Sequence, residues 1–361
     1  MKYGKFLPQK GRIGFVAPSF GCNIEPYASS FKNALKLWEK EGYTVKCGPN
    51  AYEGSGIGIS NAPEKCAAEF NEWYLSPETD ILISCGGGEL MCEILDYVDF
   101  EAIKKGNPKW FMGYSDNTNL TFLLATLCDT ASIYGPCAPT FGMEPRHESL
   151  VDAMNLLSGK SQSVHGYDLW EKESLKTEEN PLVPYNLTEP RILKCYLPGE
   201  GETGPDKGEE INDQNTENGK TINMKGRLLG GCLDILTNLC GTRFDEVKAF
   251  NEKYKEDGVI WFLESCDLNV FSIRRALWNL AHAGWFENTR GFLIGRPYCY
   301  GDEMMGLDQY KAVTDILKEF NVPVIMDADI GHLPPMMPLV TGSLATVSVD
   351  SNNIFIDMEY K

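Results

Sequence analysis

Apolar and polar positions alternate between two periods along the first 135 residues. Short apolar runs at Arg12–Ala17, Tyr43–Cys47, Asp80–Cys85, Trp110–Gly113 and Ala131–Tyr134 have the length and composition of buried strands. Helical patterns lie between them. Pro26–Glu41 carries apolar Phe31, Leu35, Leu37 and Trp38, and Ala62–Tyr74 has Pro63 and Glu64 in its first turn. A further helix is expected from Glu89, and Asn117–Cys128 is a strongly apolar one. Apolar strands separated by helices predict a parallel sheet covered on both faces.

The alternation resumes at Gly226. Gly258–Leu263, Gly291–Ile294 and Val322–Met326 read as strands, and Ser272–Ala283 and Asp308–Phe320 as helices. In the first of these helices Ile273, Leu277 and Leu280 share one face. Leu344–Val349 and Ile354–Met358 predict a C-terminal β pair, so this half is α/β with a more antiparallel tail. Pro198–Lys225 differs in kind. It holds seven acidic residues and five glycines, and too little apolar surface to order itself, which predicts a long exposed loop. The division that follows is an α/β domain over 1–165, a linker with the flexible acidic loop over 166–225, and a second, smaller α/β domain over 226–361. At roughly 100–200 residues per domain, a chain of 361 residues has room for two.

Charge narrows the partners. With 33 basic and 51 acidic residues the net charge is −18, which opposes binding to phosphate backbones and to anionic membrane surfaces. No run approaches the roughly 20 apolar residues of a membrane span, and the N-terminal segment lacks a signal-peptide pattern. A soluble cytoplasmic protein is expected. Twelve cysteines without a C-x-x-C or a compact Cys/His cluster predict free thiols in a reducing compartment, with no metal and no cofactor.

Candidate chemistry gathers where strands end, as it does in open α/β sheets. At Gly113-Tyr114-Ser115-Asp116-Asn117-Thr118 a strand runs through Gly-x-Ser straight into a helix. Such a turn lifts a serine hydroxyl above the sheet, beside backbone N–H groups that can hold an oxyanion. Helix capping by Ser115 or Asp116 is the plainer reading of the same residues. Gly86-Gly87-Gly88 follows a buried strand and suits an oxyanion loop, a phosphate loop or a tight turn; neither phosphate-loop signature is present. Phe262-Leu263-Glu264-Ser265-Cys266-Asp267 places a carboxylate after a third strand, fit to orient a histidine or to cap a helix. Of four histidines, only His332 follows the end of a buried strand, whereas His147, His165 and His282 lie in polar stretches or mid-helix. A serine nucleophile needs a base, most often histidine, so Ser115, Glu264 and His332 together point to a hydrolase triad. Cys85 and Cys266 have no histidine nearby in sequence, which weighs against a thiol enzyme.

At these residues the sequence resembles the serine LD-carboxypeptidases, a family that includes the microcin C immunity peptidases. The matching elements are VAPS, Gly86–Gly87, GYSDNT, GRLLGG, FLES followed by SIRRAL, GFLIGRP and DIGHLPPMMPLVTG, in order along most of the chain. The resemblance implies an N-terminal flavodoxin-like parallel-sheet domain, a smaller C-terminal α/β domain, an active site in the cleft between them, and a homodimer. It puts the nucleophile on Ser115, the acid on Glu264 and the base on His332. Oxyanion donors fall on Gly86, Gly87 and the Asp116 N–H, and a substrate-carboxylate arginine on Arg275. The implied activity is release of a terminal D-amino acid from cytoplasmic muropeptides at an L,D-amide bond. The alternative is cleavage of aminoacyl-nucleotide analogues, for which Trp170, Tyr185 or Tyr196 would supply a purine platform. Arg274, Arg275 and Arg296 are the candidate cations for an anionic substrate. Many carboxypeptidase members carry Arg-Gly-Gly-Tyr-Gly at the glycine loop, where this chain has Cys85-Gly86-Gly87-Gly88-Glu89.

Overall fold

The computed structural model describes residues 1–198 and 221–361. The first half alternates as expected: β1 (Arg12–Val16), α1 (Tyr27–Lys40), β2 (Thr44–Cys47), α2 (Pro63–Leu75), β3 (Ile81–Ser84), α3 (Phe100–Lys105), β4 (Trp110–Gly113), α4 (Thr118–Thr126), β5 (Ser132–Tyr134) and α5 (Glu148–Ser158). The strands form a parallel sheet in the order β2-β1-β3-β4-β5. This is the flavodoxin-like arrangement, with the sheet order reversing beside β1. Helix α1 buries Phe31, Ala34 and Trp38 at helical spacing, and Phe15 packs on both aromatic rings.

The middle of the chain contributes short strands: β6 (Ser163–His165), a ribbon of β7 (Leu169–Trp170) with β8 (Glu189–Pro190), and β9 (Lys194–Tyr196). The second half comprises β10 (Ile222–Cys232), α6 (Leu233–Leu239), α7 (Val247–Lys253), β11 (Val259–Glu264), α8 (Val270–His282), β12 (Thr289–Gly295), the ribbon β13 (Glu303–Met304) with β14 (Leu307–Asp308), α9 (Gln309–Leu317), β15 (Val324–Ala328), β16 (Leu339–Thr341), β17 (Leu344–Asp350) and β18 (Asn353–Glu359). Its sheet runs β6-β18-β17-β10-β11-β12-β15-β9, parallel from β10 to β15 and antiparallel on both flanks. The sheets do not follow the linear order of the chain. Strand β16 returns to pair with β5 in the first sheet, while β6 and β9 join the second.

Two expectations need correction. Most of the expected acidic loop, residues 199–220, lies outside the described residues, but its last part is strand. Ile222 and Met224 point inward and Asn223 and Lys225 outward, so β10 starts four residues before Gly226 on a period-two pattern. The helix expected from Glu89 is only a 3₁₀ turn, Met91–Ile94. The segment is tied to neighbouring loops, through the N–H groups of Glu89 and Leu90 to the Gly58 carbonyl and that of Met91 to the Asp116 carboxylate, and it closes with bonds three residues back, Leu95 N–H to Cys92 and Tyr97 N–H to Ile94.

Helix α4 explains its own composition. Eight of its nine residues are buried, because it is covered on both sides. Leu120 and Leu124 enter the core behind the first sheet, while Phe122, Leu123 and Ala125 enter the core of the second half. A helix apolar all round belongs in such a place. The turn that precedes it therefore stands where both halves meet.

Candidate active site

Four strand ends converge there. β4 ends at Gly113 and leads through Tyr114 into Ser115, whose φ is +63°. A non-glycine residue in that region is held by its surroundings. The Ser115 N–H donates to the Tyr134 hydroxyl at 3.2 Å, at the end of β5. The Asn117 amide donates to the Tyr114 carbonyl at 3.1 Å and to the Gly86 carbonyl at 2.7 Å, tying this turn to the glycine loop.

Glu264 closes β11 and is 2% exposed. His332 sits on the loop after β15. Its Nδ1 lies 2.8 Å from Glu264 Oε2 and its Nε2 2.9 Å from Ser115 Oγ. With Nδ1 protonated, the imidazole donates to the carboxylate and accepts from the serine hydroxyl. The second carboxylate oxygen accepts a short hydrogen bond from the Tyr134 hydroxyl. Gly331 has φ +102°, and a Cβ there would stand 2.5 Å from Glu264 Oε2, so only glycine lets the loop approach this closely. The Tyr114 ring packs on the imidazole at 5.1 Å between centroids.

Burial opposes charge on both partners, and their mutual attraction overrides it. Burial raises the Glu264 pKa, but the His332 charge and the hydrogen bonds from His332, Tyr134 and Cys232 hold it below the usual carboxylate value. Burial lowers the His332 pKa, but the Glu264 carboxylate and the Cys266 thiol carry it well above the ordinary imidazole value. Cys266 thus meets in space the histidine it lacks in sequence. Its own pKa is raised, by burial first, so it remains a thiol. Cys85 is fully buried.

The glycine loop lies against the serine. A Cβ on Gly87 would be 3.2 Å from Ser115 Oγ. Among the described residues, neither the Gly87 N–H nor the Asp116 N–H has an acceptor. Gly86 contributes its carbonyl to Asn117. The Asp116 side chain has a separate task. Its buried carboxylate accepts from Ser19 Oγ at 2.6 Å, Met91 N at 2.9 Å and Asn119 Nδ2 at 3.0 Å, fixing three loops around the site. Burial pushes its pKa up to about 6.

The candidate arginines lie elsewhere. Arg275 is exposed on α8 and donates to Ser272 Oγ of its own helix at 2.9 Å; no hydrogen bond or ion pair links it to Ser115, Glu264 or His332. Arg274 pairs with Asp315. Arg296 is 1% exposed and acts as an internal clamp, donating to the Asp327 carbonyl at 2.9 Å and Asp329 Oδ1 at 2.6 Å. It fixes the loop that carries His332. Trp170, one of three expected platforms, is buried beneath the Arg296 guanidinium, and Tyr196 packs against the core of the second half. Tyr185 does line a pocket of about 130 Å³ that opens at His332 and Tyr114. Of the residues that build the site, Tyr134 had a signal in the sequence, as the last residue of a strand. The sequence offers Arg296 as a candidate cation for substrate, and the structure gives it a buried structural role instead, while Tyr114 and Asp329 had no signal of their own.

The fold and the meeting of these strand ends are those of an α/β enzyme of the hydrolytic class. Residues 13–135 match the family model for the LD-carboxypeptidase N-terminal domain, and residues 225–347 that for the LD-carboxypeptidase C-terminal domain. The chain belongs to the LD-carboxypeptidase family of peptidases. It is 26% identical over 360 residues to the microcin C7 self-immunity protein MccF of Escherichia coli, covering 96% of this chain and 93% of that protein. It is 23% identical over 360 residues to a Bacillus subtilis protein named "Probable murein peptide carboxypeptidase", covering 98% and 93%. In structure it resembles an MccF-like protein from Bacillus anthracis, with TM-score 0.78 at 21% identity, covering 99% of this chain and all of that one. MccF bound to glutamyl sulfamoyl guanosine gives TM-score 0.77 at 21% identity, covering 99% and 98%. Among the described residues no helix is long and apolar enough to cross a membrane.

Proposed function

We propose that this protein is a serine LD-carboxypeptidase that releases a terminal D-amino acid from muropeptides. The single observation that carries the reading is the unbroken line from Ser115 Oγ through His332 to Glu264, with Gly87 against the hydroxyl. His332 takes the Ser115 proton as Oγ attacks the amide carbonyl. Glu264 holds the imidazole in the required tautomer and stabilises the imidazolium. The free N–H groups of Gly87 and Asp116 receive the oxyanion, each donor contributing about 3–4 kcal/mol in comparable sites. His332 then protonates the leaving amine and activates water for deacylation. The enzyme acts in the cytoplasm as a homodimer, following the family resemblance.

A second reading has its own support. The relatives include a microcin immunity protein, and MccF structures hold aminoacyl sulfamoyl nucleosides. Cleavage of such an aminoacyl-nucleotide analogue would use the same three residues, with Tyr185 as the aromatic surface at the pocket. The test is D-alanine release from an L,D-tetrapeptide, run beside hydrolysis of an aminoacyl sulfamoyl adenosine, with Ser115→Ala as control. Release of D-alanine by the intact protein alone supports the first reading. Turnover of the nucleoside alone replaces it with the second.

A further inference from the structure

We propose that the pocket beside His332 is the subsite for the leaving group, and that Lys176 anchors the negative charge that group carries next to its nitrogen. The inference rests on the hydrolytic reading above.

The side of the cleft follows from the proton path. His332 must hand a proton to the departing nitrogen, so that nitrogen sits within hydrogen-bond reach of Nε2. The pocket that His332 and Tyr114 line is therefore where the rest of the leaving group goes. Neither Gly86 nor Gly87 lines it, which separates it from the oxyanion side. In a carboxypeptidase the released residue carries its carboxylate one carbon from that nitrogen. A cation is needed there, and among the described residues Lys176 is the only lysine or arginine in the lining.

Lys176 is available for this task. Among the described residues its ammonium has one hydrogen-bond partner, Ser30 Oγ at 3.2 Å, and no carboxylate within 4.0 Å. Glu171 lines the same pocket but is engaged elsewhere, accepting from the Asn186 N–H. Burial lowers the Lys176 pKa and Glu171 only partly restores it, so an arriving anion supplies the missing countercharge. Besides its partner Glu264, His332 feels the charge of Glu89, which has Asp267 and Asp234 around it, and all of these are acidic. They repel an anion from that direction. Arg275, the cation implied by resemblance, is bonded within its own helix. The same chemistry has two sources: the carboxylate of a terminal amino acid, or the sulfamoyl or phosphoryl group of an aminoacyl nucleotide.

The test compares an L,D-tetrapeptide with its C-terminal carboxamide. The unaltered protein prefers the free acid. Lys176→Met lowers kcat/KM for the acid by roughly 10- to 100-fold, mainly through KM, the range of one charge-assisted hydrogen bond. The preference for acid over carboxamide then collapses toward one, while Lys176→Arg retains most of it. An unchanged preference in Lys176→Met overturns the proposal. Binding separates this from failure of the peptidase reading. Calorimetry on Ser115→Ala is compared with Ser115→Ala/Lys176→Met, using the tetrapeptide and an aminoacyl sulfamoyl adenosine. Loss of affinity for only the nucleoside keeps the anion site and assigns it to the second source. Affinity independent of Lys176, or no binding of either compound, overturns it.

Discussion

Ser115 holds a left-handed backbone, and Tyr134 links that backbone to the acid of the site: one hydroxyl accepts from the Ser115 N–H and donates to Glu264. The serine is aimed and the carboxylate is fixed by the same side chain. The pH dependence belongs to His332, which must be neutral to accept a proton. Its pKa stands above the ordinary imidazole value of about 6.5, because Glu264 outweighs burial. The acidic limb of kcat/KM therefore falls above about pH 6.5, with activity rising as His332 loses its proton. Glu264→Gln removes the charge responsible. The limb moves to lower pH, and the plateau drops by a factor on the order of 10⁴ through loss of the tautomer. A pH–rate profile of both proteins checks this, and a limb that stays in place contradicts the coupling.

At the scale of elements, the loops are set by buried polar clamps. Arg296 and Asp329 form an ion pair in which both side chains are almost fully buried, and Asp329 also accepts from the Tyr167 N–H at 2.7 Å. Without Arg296, Asp329 keeps only Arg191, at 3.5 Å, as a cation, and loses one buried charge-assisted hydrogen bond. Arg296→Met is expected to cost about 1.5–3 kcal/mol and to lower the melting temperature. Activity per folded molecule falls too, since the clamp holds the His332 loop. Thermal unfolding beside specific activity tests this, and an unchanged melting temperature refutes the clamp. The regular elements around these loops were legible because their apolar runs are long enough to show a period. Strands β6, β9 and β16 were not, since three residues at a sheet edge carry no period. Ser115, Glu264 and His332 were legible because each follows a recognisable strand. Lys176 was not, because its importance comes from a pocket wall built by the 171–185 segment, which has almost no regular structure. The short 3₁₀ turn after Glu89 was not legible either, because the partners that tie it down, the Gly58 carbonyl and the Asp116 carboxylate, are distant in sequence and invisible to local pattern.

Across the whole molecule, α4 and the returning strand β16 lock the halves together, so the site's geometry depends on both cores at once. The same interior buries carboxylates at a cost. Glu69 accepts from the Ala17 and Asn50 N–H groups at 2.7 and 2.8 Å, yet burial still pushes its pKa up to about 7, and that of Asp116 to about 6. Both are raised above their unfolded values, so their stabilisation is present at low pH and lost as pH rises through about 6 to 7. Relief of the −18 net charge acts in the same direction. The melting temperature is expected to rise as pH falls from 8 to 6, and Glu69→Gln to flatten that slope. Calorimetric scans across this range give the answer, and a melting temperature that falls over the interval contradicts the assignment.

If Ser115 and His332 act together on an L,D-amide bond, D-alanine release from an L,D-tetrapeptide, measured for the intact protein, Ser115→Ala and His332→Ala, shows it at once. Release is expected from the intact protein and none above background from either variant, with both variants folded. Undiminished release from Ser115→Ala, or silence from the intact protein, would contradict it.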